Sequence, residues 1–246
     1  MPKNGGAVVD LAVLTVNGKA PAMALANGRL FWGQGGSIQS VSVLGGPIAV
    51  VSADASDPLS LAADGIRVYW PSTGNGLVVQ SNQSGGGEVV LATSQNFPFG
   101  VAVDAQYVYW GSYSTADVKR VPIGGGAITS LAPGAIGFGD IAVSNGWVYW
   151  GTQNGGVVSR TSLTAGSTQT IAASGGQMWG IAVDGPAVYW TADTAIYAGL
   201  TTNGTSTFVA TGPANAREVA LDTKCAYWVA QGSVAGPDGA LMAIAR

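Results

Sequence analysis

Gly180-Ile181-Ala182-Val183-Asp184-Gly185-Pro186-Ala187-Val188-Tyr189-Trp190 reads as a short apolar strand, a turn, and a second apolar strand. Its ending returns as Phe31-Trp32, Tyr69-Trp70, Tyr109-Trp110, Tyr149-Trp150 and Tyr227-Trp228. The tryptophans stand 38, 40, 40, 40 and 38 residues apart. A fixed period near forty, centred on β-branched and aromatic residues, is the mark of a propeller blade. Six copies predict an all-β, six-bladed β-propeller with four strands per blade, in a single domain over residues 1–246.

The repeat continues past Trp190. Ile196 to Leu200 reads as a third strand, Asn203-Gly204 as a hairpin turn, and Thr205 to Ala210 as a Thr-rich outer strand. Ala187 to Trp190 is apolar at every position, as expected where both faces of a blade pack on its neighbours. Gly45-Gly46, Gly85-Gly86-Gly87, Gly124-Gly125-Gly126 and Ala165-Gly166 mark the outer turns of other blades. Asp64, Asp104, Asp184 and Asp222 recur in the inner turn, where blade four has Ser144 and blade one Ala26-Asn27. A carboxylate copied around a ring is expected to cap its turn, not to catalyse.

Closure follows from counting. Only 18 residues follow Trp228, enough for a third strand at Leu241 to Ala245 but not for a fourth. Val8 to Leu14 is the available partner, so an N-terminal strand is expected to complete the last blade. The same region (Lys3, the apolar run Ala7 to Val16, and Ala20-Pro21-Ala22) resembles a short leader, although Asp10 interrupts it. The apolar run is too short to span a bilayer.

Composition excludes several chemistries. The chain is 47% hydrophobic and 9% charged, has 38 glycines, and carries a net charge of −3. Nothing there attracts nucleic acid. Histidine is absent, which removes the commonest general base, the Ser-His and Cys-His nucleophile pairs, and most zinc sites. The single cysteine, Cys225, lies in an apolar strand and reads as a small hydrophobe. No cofactor is expected beyond a Ca²⁺ ion held by oxygen ligands. Low charge with much Ser, Thr and Gly suggests a secreted or periplasmic bacterial protein, a monomer, with a cytoplasmic one as the alternative.

Ile181-Ala182-Val183-Asp184 followed by Val188-Tyr189-Trp190-Thr191 resembles the YWTD repeat of low-density-lipoprotein-receptor-type six-bladed propellers. That resemblance implies the same fold, with inner strands around a central channel. It departs at the final Asp, because Pro71-Ser72, Gly111-Ser112, Gly151-Thr152 and Thr191-Ala192 follow the tryptophans. The general layout is also similar to lactonase-type propellers, whose Glu, Asn, Asn and Asp ligands have no positional counterparts here.

Ligands of such rings reach the channel mouth, where loops vary over a rigid scaffold. Ten residues before each tryptophan stand Ala22, Ser60, Gly100, Asp140, Gly180 and Glu218. One residue earlier stand Pro21, Leu59, Phe99, Gly139, Trp179 and Arg217. Asp140 and Glu218 replace small residues and are expected to face each other across the mouth, ringed by Phe99, Phe138, Trp179 and Arg217. Two readings follow. A non-catalytic binding propeller would hold a protein or small-molecule ligand there. A hydrolase or lyase would use Asp140 and Glu218 as acid, base or metal ligands. The loops Ser112 to Asp117 and Gln231 to Gly239 extend the same face.

Overall fold

The computed structural model describes residues 22–245, apart from 35, 136–137, 165–166, 203–204, 213–214, 222 and 231–239. Among the described residues there are 23 strands and no helix. They form five four-stranded antiparallel sheets and a sixth with three described strands, each running in chain order. This is the six-bladed propeller that the tryptophan period predicts. The expected fourth strand of the last blade, Val8 to Leu14, lies outside the described residues. So do the Asn203-Gly204 and Ala165-Gly166 turns, Asp222 and the 231–239 loop.

Blade five shows the pattern: Met178–Asp184, Ala187–Ala192, Ala195–Leu200 and Ser206–Thr211 pair in that order. The inner strands of the six blades are Met23–Ala26, Ala62–Ala63, Pro98–Val103, Phe138–Ser144, Met178–Asp184 and Ala216–Leu221.

The aromatic dipeptide holds the ring together because successive strand residues point to opposite faces. Tyr69 packs in the cluster that contains Trp110, and Tyr109 in the one that contains Trp150. Tyr149 joins Trp190, and Phe31 joins Trp70. From blade one to blade six, each blade therefore offers its Tyr or Phe to the next blade, whose Trp receives it. The six tryptophans of the repeat are at most 2% exposed.

Two of the recurrent aspartates, Asp64 and Asp104, cap turns, as expected. Asp64 Oδ1 accepts the backbone N–H groups of Ile66 and Arg67, both at 2.6 Å, and Oδ2 accepts the Tyr69 hydroxyl at 2.6 Å. Asp104 repeats this with Gln106, Tyr107 and Tyr109. The turn cap also orients the tyrosine of the packing dipeptide. Burial works against the charge of Asp64, but its hydrogen bonds from Tyr69, Arg67 and Ile66 outweigh it and hold the carboxyl below its ordinary range.

Candidate functional site

The inner strands are irregular where the site residues stand. In blade four, Phe138 pairs with Thr152 and Ile141 with Trp150, so Gly139 and Asp140 together oppose Gly151. In blade five, Trp179 and Gly180 oppose Thr191 in the same way, and in blade six Arg217 and Glu218 oppose Val229. Blade three has its extra residue at Gly100. Blades three to six thus each carry a β-bulge at the height singled out by counting back from tryptophan. A bulge re-aims side chains and releases backbone groups from the ladder.

The released groups converge on Asp140. Its carboxylate accepts its neighbour's N–H at Ile141, the N–H of Ile181 from blade five, and the hydroxyl of Ser60 from blade two. Ser60 Oγ in turn accepts the Val101 N–H at 3.0 Å. Asp140 therefore links blades two, four and five. It passes over Gly100, whose missing side chain leaves the room: a Cβ there would lie 3.2 Å from Ile141 Cγ2 and N.

Glu218 approaches from blade six past Gly180. A Cβ on Gly180 would fall 2.3 Å from the Arg217 carbonyl oxygen and 2.9 Å from Glu218 Cα. Thr191 sets this distance of approach. Its hydroxyl donates to the Arg217 carbonyl and accepts the Gly180 N–H at 2.9 Å. The Arg217 guanidinium lies 3.7 Å above the Trp179 ring, a cation–π stack between blades five and six.

Asp140, Glu218, Arg217, Trp179 and Phe99 are all partly exposed. Phe138 starts the fourth inner strand opposite Thr152. The structure thus brings Asp140, Glu218, Arg217 and Trp179 together. Ser60 and Thr191 were missed as participants. Ser60 stands in the compared register, but its hydroxyl is significant only once Asp140 is known to reach across blade three.

The two carboxylates sit within each other's field. Partial burial, and then the charge of Glu218, raise Asp140 well above the ordinary carboxyl range against the pull of its three hydrogen bonds. Burial pushes Glu218 up to about 7, and Arg217 draws it back. Both carboxyls are thus held above their ordinary range, and the titration belongs to the pair.

This shift fixes a sign. The folded pair keeps a proton between pH 4.5 and about 7 that the unfolded chain has released. Stability is therefore full below that window, falls as pH rises through it, and levels off above. At 1.36 kcal/mol per unit the full shift would carry about 3 kcal/mol. Solvent reaching the pair reduces this to about 1–2 kcal/mol. Glu218→Gln should melt higher than the unsubstituted protein at pH 8 by roughly 3–6 °C and match it at pH 4.5. A variant that melts lower at pH 8 would show that the charge is stabilising.

Among the described residues no three His, Cys, Asp or Glu side chains converge to hold a metal ion. Ca²⁺ takes six to eight oxygens. Asp140, Glu218 and the Ser60 hydroxyl would supply part of that number, with backbone carbonyls and water left to complete it.

Comparison with protein-family models and with curated protein sequences finds no match. Solved structures do match in fold. A streptogramin B lyase superposes with TM-score 0.76 at 13% identity, over 94% of this chain and 84% of that one. A catalytically inactive His-to-Ala virginiamycin B lyase from Staphylococcus aureus, with quinupristin, gives 0.72 at 14% identity, over 87% and 79%. A nidogen/laminin complex gives 0.66 at 16%, over 77% and 79%. At such identities the likeness is one of fold.

Proposed function

We propose that this chain is a non-catalytic binding propeller that holds a small polar ligand at the channel mouth. One observation carries the reading. Bulges in blades four and six drive two carboxylates together where the other blades place Ala, Ser or Gly. The fold gains nothing from that repulsion, and local choices that oppose stability gather at functional sites. Paired carboxylates beside a Trp179–Arg217 stack suit a compact ligand that donates hydrogen bonds, such as a polyol or an amine.

A hydrolase or lyase is the second reading, favoured by the position of Glu218 at about 7, within the range of a general acid or base at neutral pH. The similar lyases share the layout, yet the variant lyase described as inactive has lost a histidine, and this sequence contains none. A protein partner, as in the nidogen/laminin complex, is the larger alternative for the same face.

Thermal melting against sugars, amines, lactones, Ca²⁺, Mg²⁺ and chelator separates these readings. A ligand at a hundred times its dissociation constant stabilises by about 2.7 kcal/mol. The midpoint should then rise by roughly 5–10 °C. A sugar or amine is expected to give this shift, and the Asp140→Asn, Glu218→Gln double variant to lose it. Turnover of a lactone that disappears in the double variant would place the enzyme first. No shift with any small ligand would move the search to protein partners.

A further inference from the structure

Blade three carries a second feature on the same face. Thirteen residues before the tryptophan, the loop approaching the inner strand is left-handed in three blades, at Asp57 (φ 59°), Phe97 (φ 54°) and Asn215 (φ 60°). Asp and Asn tolerate that conformation, whereas a bulky aromatic residue there is strained. The sequence has glycine at the matching position of blade four, Gly137. Phe97 is the exception to the residue types that this position favours.

Phe97 is 48% exposed, and its ring meets another exposed ring, that of Tyr113 (40%), edge-on with centroids 6.0 Å apart. The two loops are joined by backbone hydrogen bonds, Tyr113 N–H to Phe97 carbonyl at 3.0 Å and Ser114 N–H to Asn96 carbonyl at 3.4 Å. Strain retained at an exposed aromatic pair points to a ligand contact.

The surroundings define the ligand's chemistry. Ser94, Asn96, Ser114 and Thr115 are exposed, uncharged hydrogen-bonding residues beside the pair. The nearby charges are occupied: Asp117 accepts from Ser130, and Lys119 donates to Gln95. An aromatic face with neutral hydroxyl and amide groups suits the C–H face and hydroxyl rim of a sugar ring. Phe97 also leads through Phe99 to Gly100, which abuts Asp140. Three residues reach at most about 10 Å, within the span of a short oligosaccharide.

We propose that Phe97 and Tyr113 form a rim subsite that stacks a neutral pyranose ring of an oligosaccharide whose adjoining units reach Asp140 and Glu218. This rests on the small-ligand reading of the channel mouth and names its ligand class.

Calorimetric titration with cellohexaose, maltohexaose, xylohexaose and chitohexaose tests it, with the Tyr113 ring resonances as local reporter. At least one hexasaccharide should bind saturably in the millimolar range or tighter and shift those resonances. Phe97→Asn removes the ring and suits the left-handed backbone, so it should weaken binding at least tenfold while the melting midpoint holds or rises. Tyr113→Ala should weaken it similarly. Absence of saturable binding by all four, or unchanged affinity in Phe97→Asn, overturns the subsite. If Glu218→Gln weakens binding and Phe97→Asn does not, the channel site stands and the rim subsite falls. The reverse pattern keeps the rim subsite and removes the channel from the reading.

Discussion

Gly180→Ala should lower stability by about 3 kcal/mol, the upper end of what overpacking usually costs. The added Cβ would meet backbone at the Arg217 carbonyl, Glu218 Cα and Val219 N, at 2.3, 2.9 and 2.9 Å, and none of these can rotate away. Blade six must shift outward to admit it. That movement would break the Thr191 bridge between Gly180 and Arg217 and draw Glu218 away from Asp140. Two readouts are therefore expected together: a melting midpoint lower by roughly 6–12 °C, and a Glu218 carboxyl that titrates closer to its ordinary range by carbon-detected NMR. A variant within 1 kcal/mol of the unsubstituted protein, with Glu218 still titrating near neutrality, would disprove this close approach. The contrast with Gly151 is informative. A Cβ there meets the end of the Met178 side chain, which can swing aside, so the same substitution should be milder.

Trp150→Ala should cost about 3–5 kcal/mol, as for other large aromatic residues removed from a core. Trp150 is 1% exposed and fills the interface between blades three and four with Tyr109, Val118, Ala132 and Ile141. Denaturant unfolding measures the loss directly. Ile141 also supplies an N–H to Asp140, so the substitution reaches the site through its packing. Ile141→Val should consequently be non-additive with it, since the two side chains share one cavity. A loss below about 1.5 kcal/mol would mean that the neighbouring blade collapses into the vacated space.

The ring was legible because each blade repeats the same burial problem. Tyr and Trp side by side on one strand face opposite neighbours, and only a stack of like units buries both. Asp64 and Asp104 were legible as turn caps for a similar local reason: their partners lie two, three and five residues on. Asp140 and Glu218 stood out by breaking the run of small residues at one height. Their environment was not legible, because it is assembled from four different blades.

The sequence by itself determined the blade number and the strand order within a blade, both consequences of a period near forty acting through neighbours. Tertiary structure alone decided how the channel residues meet. Ser60, Asp140, Ile181 and Glu218 lie up to 158 residues apart, and Asp140 and Glu218 are placed by bulges whose extra residue leaves no mark in local propensity. The same holds for Phe97, whose strain appears only once its backbone can be compared with Asp57 and Asn215. Contacts set by ring closure depend on the summed geometry of every blade, and no short window of sequence contains that sum.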